Sequence, residues 1–340
     1  MRAIVYSAPG GSEVLSLVDR EVVAPGTGEV RVQIAVSGVN PTDWKARAGG
    51  TQRGDFAEVV PNQDGAGIID AVGDGVAGLA VGDHVWVHLA QHQRPTGTAQ
   101  EYTVVPASRA IRLPEGVSFE LAASLGVPAV TAHRALTVHE DGPTRLSPGS
   151  LDGRTVLVAG GAGAVGHAAI QLARWAGATV IATVSSDEKA ALARAAGAHH
   201  TVDYTTGDLV AQVKALAPPG IDQFVEVSLA TNAAADAELA ANHAVIAFYA
   251  DNNGETFSMP IRPTFAKNLR VQGVLLYTVG EPALDAAIED ITRALEDDAL
   301  PVGDAHGLPL IWFNLDQTAA AHDAVENAAV GKVLIRVADL

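Results

Sequence analysis

The chain has 340 residues, of which 48% are hydrophobic and 18% are charged, and its formal net charge at pH 7 is -17. This is the composition of a folded globular protein long enough for two domains, and it excludes a disordered chain. The negative charge argues against nucleic acid and membranes as partners, because both attract cationic surfaces. The chain has no cysteine, which excludes disulfides and thiolate metal sites. No signal-peptide pattern or long apolar run is visible, so we expect a cytoplasmic protein.

Short alternating strands separated by Gly and Pro fill the first part of the chain, to about Ala123. The segments are RAIVY, EVRVQIAVSGV, GAGIIDAVGDGV, GDHVWVHL and AQEYTVV. Alternation of this kind predicts an antiparallel, barrel-like β domain.

From about Thr155 strands alternate with helices through six strands, which predicts an α/β fold with a doubly wound parallel sheet. The last two segments, GLPLIWF and GKVLIRV, have no place in such a sheet and are expected to return to the first domain. The predicted domains are therefore 1–125, 126–277 and a C-terminal return at 278–340. Helices are predicted at Ala164–Ala176, Asp187–Ala196, Leu209–Leu216, Asn232–Asn242 and Pro282–Asp297.

A glycine run, VLVAGGAGAVGHAAIQ, connects the first predicted strand of this sheet to its first helix. Gly161, Gly163 and Gly166 match the G-x-G-x-x-G pattern of dinucleotide-binding turns, and the required strand and helix stand on either side. A tight turn without a ligand would show the same three glycines. The flanking elements favour a cofactor, because backbone N–H groups at the helix N-terminus are free to bind a pyrophosphate.

The end of the second strand distinguishes NAD from NADP. An NAD enzyme places an acidic side chain there for the ribose 2′-hydroxyl, but this chain has Ser185 and Ser186, followed by Lys189. The lysine is positioned to pair with a 2′-phosphate, so we expect NADPH. Ser185 and Glu188 also fit a helix-capping box with Lys189 as a solvated surface charge, and the two interpretations are compatible.

Several motifs at fixed separations extend the pattern over almost the whole chain: GVNPTDWKARAG, NQDGAGII, GTAQEYTVV, SLGVPAVTAHRAL and AGGAGAVGHAAIQLARWAGA. With the β domain first and the nucleotide domain second, the chain resembles the medium-chain dehydrogenase/reductase superfamily. More narrowly, it is similar to the zinc-independent quinone oxidoreductase (zeta-crystallin-like) branch. The resemblance implies a GroES-like catalytic β-barrel domain, a Rossmann domain and a cleft between them.

The resemblance also bears on metals. Zinc alcohol dehydrogenases of this superfamily carry a cysteine ligand where Asn40 stands and a histidine where Gln63 stands. Both ligands are therefore missing, and we expect no metal. His84, His88 and His92 are spaced by four, but they follow a strand pattern, in which such residues lie about 13 Å apart.

The site residues that we expect divide into three groups. By resemblance, Asn40 and Thr131 approach the nicotinamide, and Phe248 belongs to the segment over the ribose. Asn40 and Lys45 are the catalytic candidates, and Lys45 stands where the related enzymes commonly have tyrosine. The predicted substrate contacts are Trp44, Tyr249 and Tyr277, and the predicted cofactor contacts are Asn40, Thr131, Gly161, Gly163, Ala164, Val165, Gly166, Ser185, Ser186, Lys189, Tyr204 and Phe248.

Without a metal, the expected chemistry is hydride transfer from NADPH to a quinone or an α,β-unsaturated carbonyl compound. When such a conjugated acceptor takes up hydride at carbon, negative charge develops on its oxygen, and a few hydrogen-bond donors can stabilise that charge. The Lys45 ammonium is one candidate donor. The simpler interpretation is that Trp44 packs in the core and that Lys45 pairs with Asp43 or with water. An enoyl-thioester reductase of secondary metabolism and a non-catalytic NADPH-binding protein remain alternatives.

The segment LRVQGVLLY, Leu269–Tyr277, is apolar and would form the edge strand of the parallel sheet. Exposed apolar edges invite pairing with another chain. We therefore expect a homodimer joined through this strand, as in the reductases that the chain resembles.

Overall fold

The computed structural model of the protein describes residues 1–50, 54–252 and 254–340. Contacts divide the chain into two units, one formed by Met1–Val127 with Leu310–Leu340 and the other by Pro128–Pro309. Residues 278–309, which were predicted to belong to the C-terminal return, thus group with the second unit. The reason is Asp290, which accepts hydrogen bonds from His133 and Arg145 at 2.8 Å each.

The first unit is built on a long strand, β3 (Glu29–Val39). It pairs antiparallel with β4 (Asp64–Val72), β6 (Tyr102–Pro106) and β15 (Lys332–Arg336). Alternate residues of β3, such as Val30, Val32 and Ile34, are fully buried, as expected for a strand with one face on a core. Sheet order in this unit is β14-β15-β3-β4-β5-β7, with β1 and β2 as a separate pair. The strands are β1 Arg2–Val5, β2 Ser16–Asp19, β3 Glu29–Val39, β4 Asp64–Val72, β5 His84–Val87, β6 Tyr102–Pro106, β7 Ala110–Arg112, β14 Leu310–Asn314 and β15 Lys332–Arg336.

The α-helices among the described residues of the first unit are α1 Pro41–Arg47, α2 Phe119–Ala122 and α10 Thr318–Glu326. Asn40 is the N-cap of α1, and Pro41 follows at the first helical position, where its missing N–H costs nothing. A further helix, α3 Gly126–Leu136, begins here and continues into the second unit.

The second unit contains a six-stranded parallel sheet in the order β10-β9-β8-β11-β12-β13. The order reverses between β8 and β11, and such a switch point is where doubly wound sheets bind ligands. The predicted doubly wound fold is therefore confirmed. Its strands are β8 Thr155–Ala159, β9 Thr179–Val184, β10 His200–Asp203, β11 Ile221–Glu226, β12 Ala240–Phe248 and β13 Arg270–Gly273, and its helices are α4 Ala164–Trp175, α5 Asp187–Ala195, α6 Leu209–Leu216, α7 Leu229–Leu239, α8 Ile261–Ala266 and α9 Glu281–Glu296.

Two of the predicted elements differ from the structure. Helix α7 starts at Leu229, three residues before its predicted start, and residues 240–242 are already part of β12. The predicted edge strand Leu269–Tyr277 is shortened to β13, because β12 ends at Phe248, whose carbonyl oxygen accepts the last hydrogen bond from the backbone N–H of Val274. Beyond it Val274 and Leu276 are buried, with 5% of each residue exposed.

Among the described residues, no helix combines the length and apolar character that crossing a membrane requires.

Candidate functional site

The glycine turn lies at the switch point of the parallel sheet, between β8 and α4. A Cβ added at Gly161 would lie 2.8 Å from the Cβ of Ala182, and one at Gly166 would lie 2.4 Å from the carbonyl oxygen of Gly160. These two glycines are therefore required by helix–strand packing. A Cβ added at Gly163 would meet nothing closer than 3.4 Å, so this position permits the close approach of a ligand.

The N-terminus of α4 has the character of an anion site. Gly163 is its N-cap, no side chain caps it, and its first turn, which includes Ala164 and Val165, has no acidic residue. The first N–H groups of a helix lack intrahelical partners and carry partial positive charge. A pyrophosphate fits this end of the 12-residue helix.

The residues predicted to recognise the 2′-phosphate lie together where β9 ends and α5 begins. The Lys189 ammonium donates a hydrogen bond to the Ser185 hydroxyl at 2.9 Å. The cap of α5 is Ser186, whose hydroxyl accepts from the backbone N–H of Lys189 at 3.3 Å. The suggested capping box of Ser185 with Glu188 is thus wrong, because the helix starts one residue later. The Ser185 hydroxyl is not used as the cap and lies beside a cation.

A cavity of about 210 Å³ lies within the second unit, at the carboxyl ends of its strands. Its lining connects Gly160 of the glycine turn with Thr183, which belongs to β9, and with Tyr204, which follows β10 and is half exposed. The lining also includes Glu226, at the end of β11, and Asp236, on α7.

Glu226 and Asp236 are buried acidic residues in the wall of this cavity. Glu226 accepts hydrogen bonds from the backbone N–H of Ser228 and from the Asn232 amide at 3.1 Å. Burial raises the pKa of both carboxyl groups, and the neighbouring Glu226 raises that of Asp236 further. Burial and the same carboxylate also raise the pKa of the Tyr249 phenol.

In the first unit, Asn40 is buried and both ends of its side-chain amide are bonded. Its Nδ2 donates to Asp64 Oδ2 at 2.7 Å, and its Oδ1 accepts from the Lys332 ammonium at 2.7 Å. Asp64 also accepts from the backbone N–H of Val127, and its Oδ2 lies 3.9 Å from the Lys332 nitrogen. The position of Asn40 is therefore fixed by a buried ion pair.

A second carboxyl, Asp43, completes this cluster from α1. It accepts from the backbone N–H groups of Asn40 at 2.7 Å and Gln63 at 3.1 Å. Burial, with a contribution from Asp64, raises the pKa of Asp43 to about 8. Burial also raises the pKa of Asp64 and lowers that of Lys332, against the attraction between them.

The two positions that match zinc ligands do not suit zinc. The amide of Asn40 is bonded as described, and the Gln63 amide exchanges hydrogen bonds with Gln91: its Nε2 donates to Gln91 Oε1 at 2.9 Å and its Oε1 accepts from the Gln91 backbone N–H at 3.2 Å. Nothing in this pair offers a thiolate or imidazole, the ligands that zinc prefers. Across residues 1–50, 54–252 and 254–340, no group of three or more His, Asp or Glu side chains could hold a metal ion.

The other predicted residues occupy varied surroundings. Lys45 and Trp44 are half-buried neighbours on α1, with the ammonium 5.9 Å from the centroid of the indole ring. Thr131 is buried on α3, and Tyr277 is half-buried after β13. Phe248 ends β12, and its ring centroid lies 6.2 Å from that of Phe257.

Sequence reasoning missed the charged partners of these residues. Asp64 and Lys332 stood within quoted segments, NQDGAGII and GKVLIRV, but nothing in either segment signals their mutual contact across 268 residues. Glu226 and Asp236 occupied ordinary strand and helix positions. A charged residue inside an otherwise apolar strand, as in FVEVS, is the available signal, because such residues are rarely buried without a partner.

Comparison with known proteins agrees with this architecture. The family model for the alcohol dehydrogenase GroES-like domain matches residues 26–115, and that for zinc-binding dehydrogenase matches residues 164–293. The quinone oxidoreductase of Rattus norvegicus is 33% identical over 282 residues, 82% of this chain and 81% of the relative. The Rattus norvegicus synaptic vesicle membrane protein VAT-1 homolog is 34% identical over 225 residues, and the matched part covers about half of it (52%).

Solved structures are similar over nearly the whole chain. A structure described as an NAD-dependent alcohol dehydrogenase has a TM-score of 0.85 at 29% identity, covering 99% of this chain and 100% of that one. A native mycobacterial structure complexed with NADPH has a TM-score of 0.82 at 28% identity, with the same coverage.

The chain combines a GroES-like domain with a parallel sheet of the dinucleotide-binding kind, including its glycine turn. This is the domain combination of a two-domain dehydrogenase/reductase. The chain belongs to the medium-chain dehydrogenase/reductase superfamily, in its quinone oxidoreductase branch.

Proposed function

We propose that the protein is an NADPH-dependent oxidoreductase that reduces quinones or α,β-unsaturated carbonyl compounds by hydride transfer without a metal. The observation that carries the proposal is the contact of Lys189 with Ser185 beside the glycine turn. This arrangement offers a cation and a hydroxyl where an NAD-specific enzyme has an acidic side chain. Relatives named as quinone oxidoreductases and a neighbour complexed with NADPH support it.

The residues of the second unit fit the dinucleotide. The open position at Gly163 and the first turn of α4 would hold the pyrophosphate, with Gly161 and Gly166 keeping helix and strand in contact. Ser185 and Lys189 would hold the 2′-phosphate, aided by the exposed Tyr204. Bound NADPH supplies the hydride.

In the first unit, Asn40 would be a positioning contact for the nicotinamide. Its amide is held by Asp64 and Lys332, so its orientation does not depend on the ligand. Lys45 would stabilise the charge that develops on the acceptor oxygen, and Trp44 would provide a flat apolar wall. Tyr249 and Tyr277 remain predicted acceptor contacts, although the Tyr249 phenol is close enough to Glu226 for the carboxylate to raise its pKa.

The test is NADPH oxidation by purified protein, measured in parallel with small quinones, an enone and an enoyl thioester. We expect oxidation with quinones or enones, unchanged after exhaustive chelation. Activity with the thioester alone would indicate an enoyl reductase instead. Binding of NADPH without oxidation by any acceptor would indicate a non-catalytic protein, and loss of activity on chelation with recovery on adding zinc would overturn the metal-free mechanism.

We also propose a homodimer joined through β13. This strand stands at the edge of the parallel sheet, and Leu275, just beyond it, is 46% exposed. The preceding helix α8 exposes Ile261 and Phe265, which are 80% and 60% accessible. A second copy would cover these side chains.

A further inference from the structure

Four basic side chains lie together at the amino edge of the parallel sheet, where its strands begin. Arg174 is in the last turn of α4, and Arg194 is in the last turn of α5. His199 and His200 follow α5 and lead into β10. All four residues, which we call the basic cluster, are exposed. The glycine turn follows the end of β8 and therefore belongs to the opposite edge of the same sheet.

The side chains of both arginines are held by neighbouring residues. Arg174 Nη1 contacts the Nε2 atom of His199. The Arg174 side chain also lies beside Gly197, where an added Cβ would be 3.4 Å from Arg174 Cγ. Arg194 Nη1 donates a hydrogen bond to the Thr201 hydroxyl at 2.8 Å. A guanidinium carries five N–H donors and each of these contacts uses one, so both arginines retain donors for a ligand.

The spacing of the two contacts suits one tetrahedral anion. His199 and Thr201 are two residues apart, so their Cα atoms are separated by at most about 7 Å. Two guanidinium groups held at this spacing can each bond to a different oxygen of one phosphate group, because a charge-assisted hydrogen bond spans about 2.7–2.9 Å. The planar fork of donors on an arginine also matches phosphate oxygens better than a lysine ammonium does.

No acidic side chain in the described part of the chain pairs with the basic cluster. The chain has 39 acidic and 22 basic side chains, yet no described carboxylate lies within 4.0 Å of either guanidinium. Burial, Arg174 and His200 all lower the pKa of His199, which shows that the surroundings of this ring disfavour a further positive charge. The partial negative charge of a helix C-terminus accounts for one arginine at the end of each helix, but not for the two histidines beside them.

We propose that the basic cluster is a binding site for a phosphate group, carried by inorganic phosphate or by a small phosphate monoester. The site is independent of the proposed oxidoreductase function, because it uses none of the residues assigned to the dinucleotide. Phosphate and the dinucleotide therefore bind to the same chain at the same time.

The experiment follows the imidazole C–H signals of His199 and His200 by NMR on the whole protein, assigned with His199→Gln and His200→Gln. Inorganic phosphate and glycerol phosphate are titrated separately at constant ionic strength, with NADP⁺ present to occupy the proposed dinucleotide site. We expect both signals to shift saturably with at least one of the two compounds and not with chloride. The compound that binds more tightly identifies the source of the phosphate group. Absence of a saturable shift with either compound below about 10 mM would overturn the inference.

Two variants and a control test the arginines. Arg174→Gln and Arg194→Gln should each weaken phosphate binding by roughly 10- to 100-fold, because each removes a charge-assisted hydrogen bond. Arg293→Gln is the control, since Arg293 pairs with Glu296 and Asp297 on α9 of the same unit, and it should bind phosphate as the parent does. Thermal melting checks that each variant is folded. Parental phosphate affinity in both folded cluster variants would overturn the inference.

The two proposals fail separately in this experiment. Calorimetry with NADPH should give the same affinity for the parent and for the Arg174 variant. Phosphate binding without NADPH binding would overturn the proposed function and leave the phosphate site standing. NADPH binding without phosphate binding would do the reverse.

Discussion

Lys189 offers the sharpest test at the scale of single residues. Its ammonium bonds to Ser185 and would bond to the 2′-phosphate as well. Lys189→Ala should weaken NADPH binding by about 1–3 kcal/mol through loss of a charge-assisted bond, with NADH binding unchanged. Fluorescence titration with both cofactors measures the difference. Lys214→Ala is the matched control, because Lys214 pairs with Glu238 on the surface of the same unit. Unchanged NADPH affinity in the Lys189 variant would refute the assignment.

Lys45 tests the proposed chemistry. If its ammonium stabilises the developing charge on the acceptor oxygen, Lys45→Met should lower kcat by roughly 10²-fold while KM for NADPH changes little. Lys45→Arg retains the charge and should recover part of the rate. Steady-state kinetics with the best acceptor of the panel measures both. A kcat within twofold of the parent in the Met variant would mean that Lys45 does not stabilise charge on the acceptor oxygen.

The sequence revealed the site features that lie within one short segment, and it did not reveal those that depend on contacts between distant segments. The glycine turn and the Ser185–Lys189 pair are contained in one strand–turn–helix stretch each, so a short pattern predicts them. The cap of α5 was misplaced by one residue, because two adjacent serines satisfy the same signal. Asn40 and Lys332 are in contact although they are 292 residues apart in the sequence. A single sequence does not show that strand β15 lies beside the N-cap of α1.

At the scale of elements, the buried pair of Asp64 and Lys332 connects strands β4 and β15 with the cap of α1. Lys332→Met leaves the Asp64 carboxylate buried without its cation and should destabilise the protein by about 3–5 kcal/mol. Adding Asp64→Asn to that variant removes the unpaired charge and should restore part of the loss. Urea unfolding of the two single variants and the double variant gives the coupling energy. Additive effects would mean that the two charges do not interact.

The predicted ends of helices and strands agree with the structure where the sequence carries a strong termination or periodicity signal. Helices α4, α5 and α9 lie within one residue of prediction, because Gly177 and Gly197 adopt positive φ just after the first two, and α9 has a strong apolar stripe. Helix α7 is the alanine-rich run LATNAAADAEL, and the Ser228 hydroxyl at its N-cap makes no capping hydrogen bond, so the start of the helix is weakly marked. The edge strand β13 is shorter than predicted, because the apolar pattern of one segment does not show how far the neighbouring strand extends beside it.

For the whole molecule, three buried histidines predict acid lability. Burial lowers the pKa of His88 and of His167 to about 4, and burial together with Arg47 lowers that of His322 to about 3. The unfolded chain binds protons at these sites below about pH 6.5, where the folded protein does not. Their stabilising effect is therefore present above pH 6.5 and is lost as pH falls towards 4. Asp43 acts in the opposite sense, because its raised pKa means that stability is lost as pH rises from about 4 to about 8.

His322→Gln isolates one of these contributions. Glutamine can still donate to Asn62, which the His322 ring contacts at 2.9 Å, but it does not titrate. Between pH 6.5 and 4, the free energy of unfolding should fall less steeply than in the parent, by up to about 1.4 kcal/mol per pH unit. Urea midpoints over this range give the slope. His306→Gln, at an exposed position, is the control and should retain the parental slope, and a parental slope in the His322 variant would contradict the assignment.

The assembly of two copies is the last prediction. Val274, within the predicted edge strand, is 5% exposed in its own chain, so a charge there would disturb folding rather than report on pairing. Leu275 is the better position, because it is exposed next to β13. Light scattering at micromolar concentration should show a dimer for the parent and a shift towards monomer for Leu275→Lys, since an unpaired charge in a covered apolar face is costly. Val23→Lys, at a position of the first unit that is 62% exposed, should stay dimeric. A monomeric parent would refute pairing through β13 and leave the apolar side chains of α8 without a partner copy.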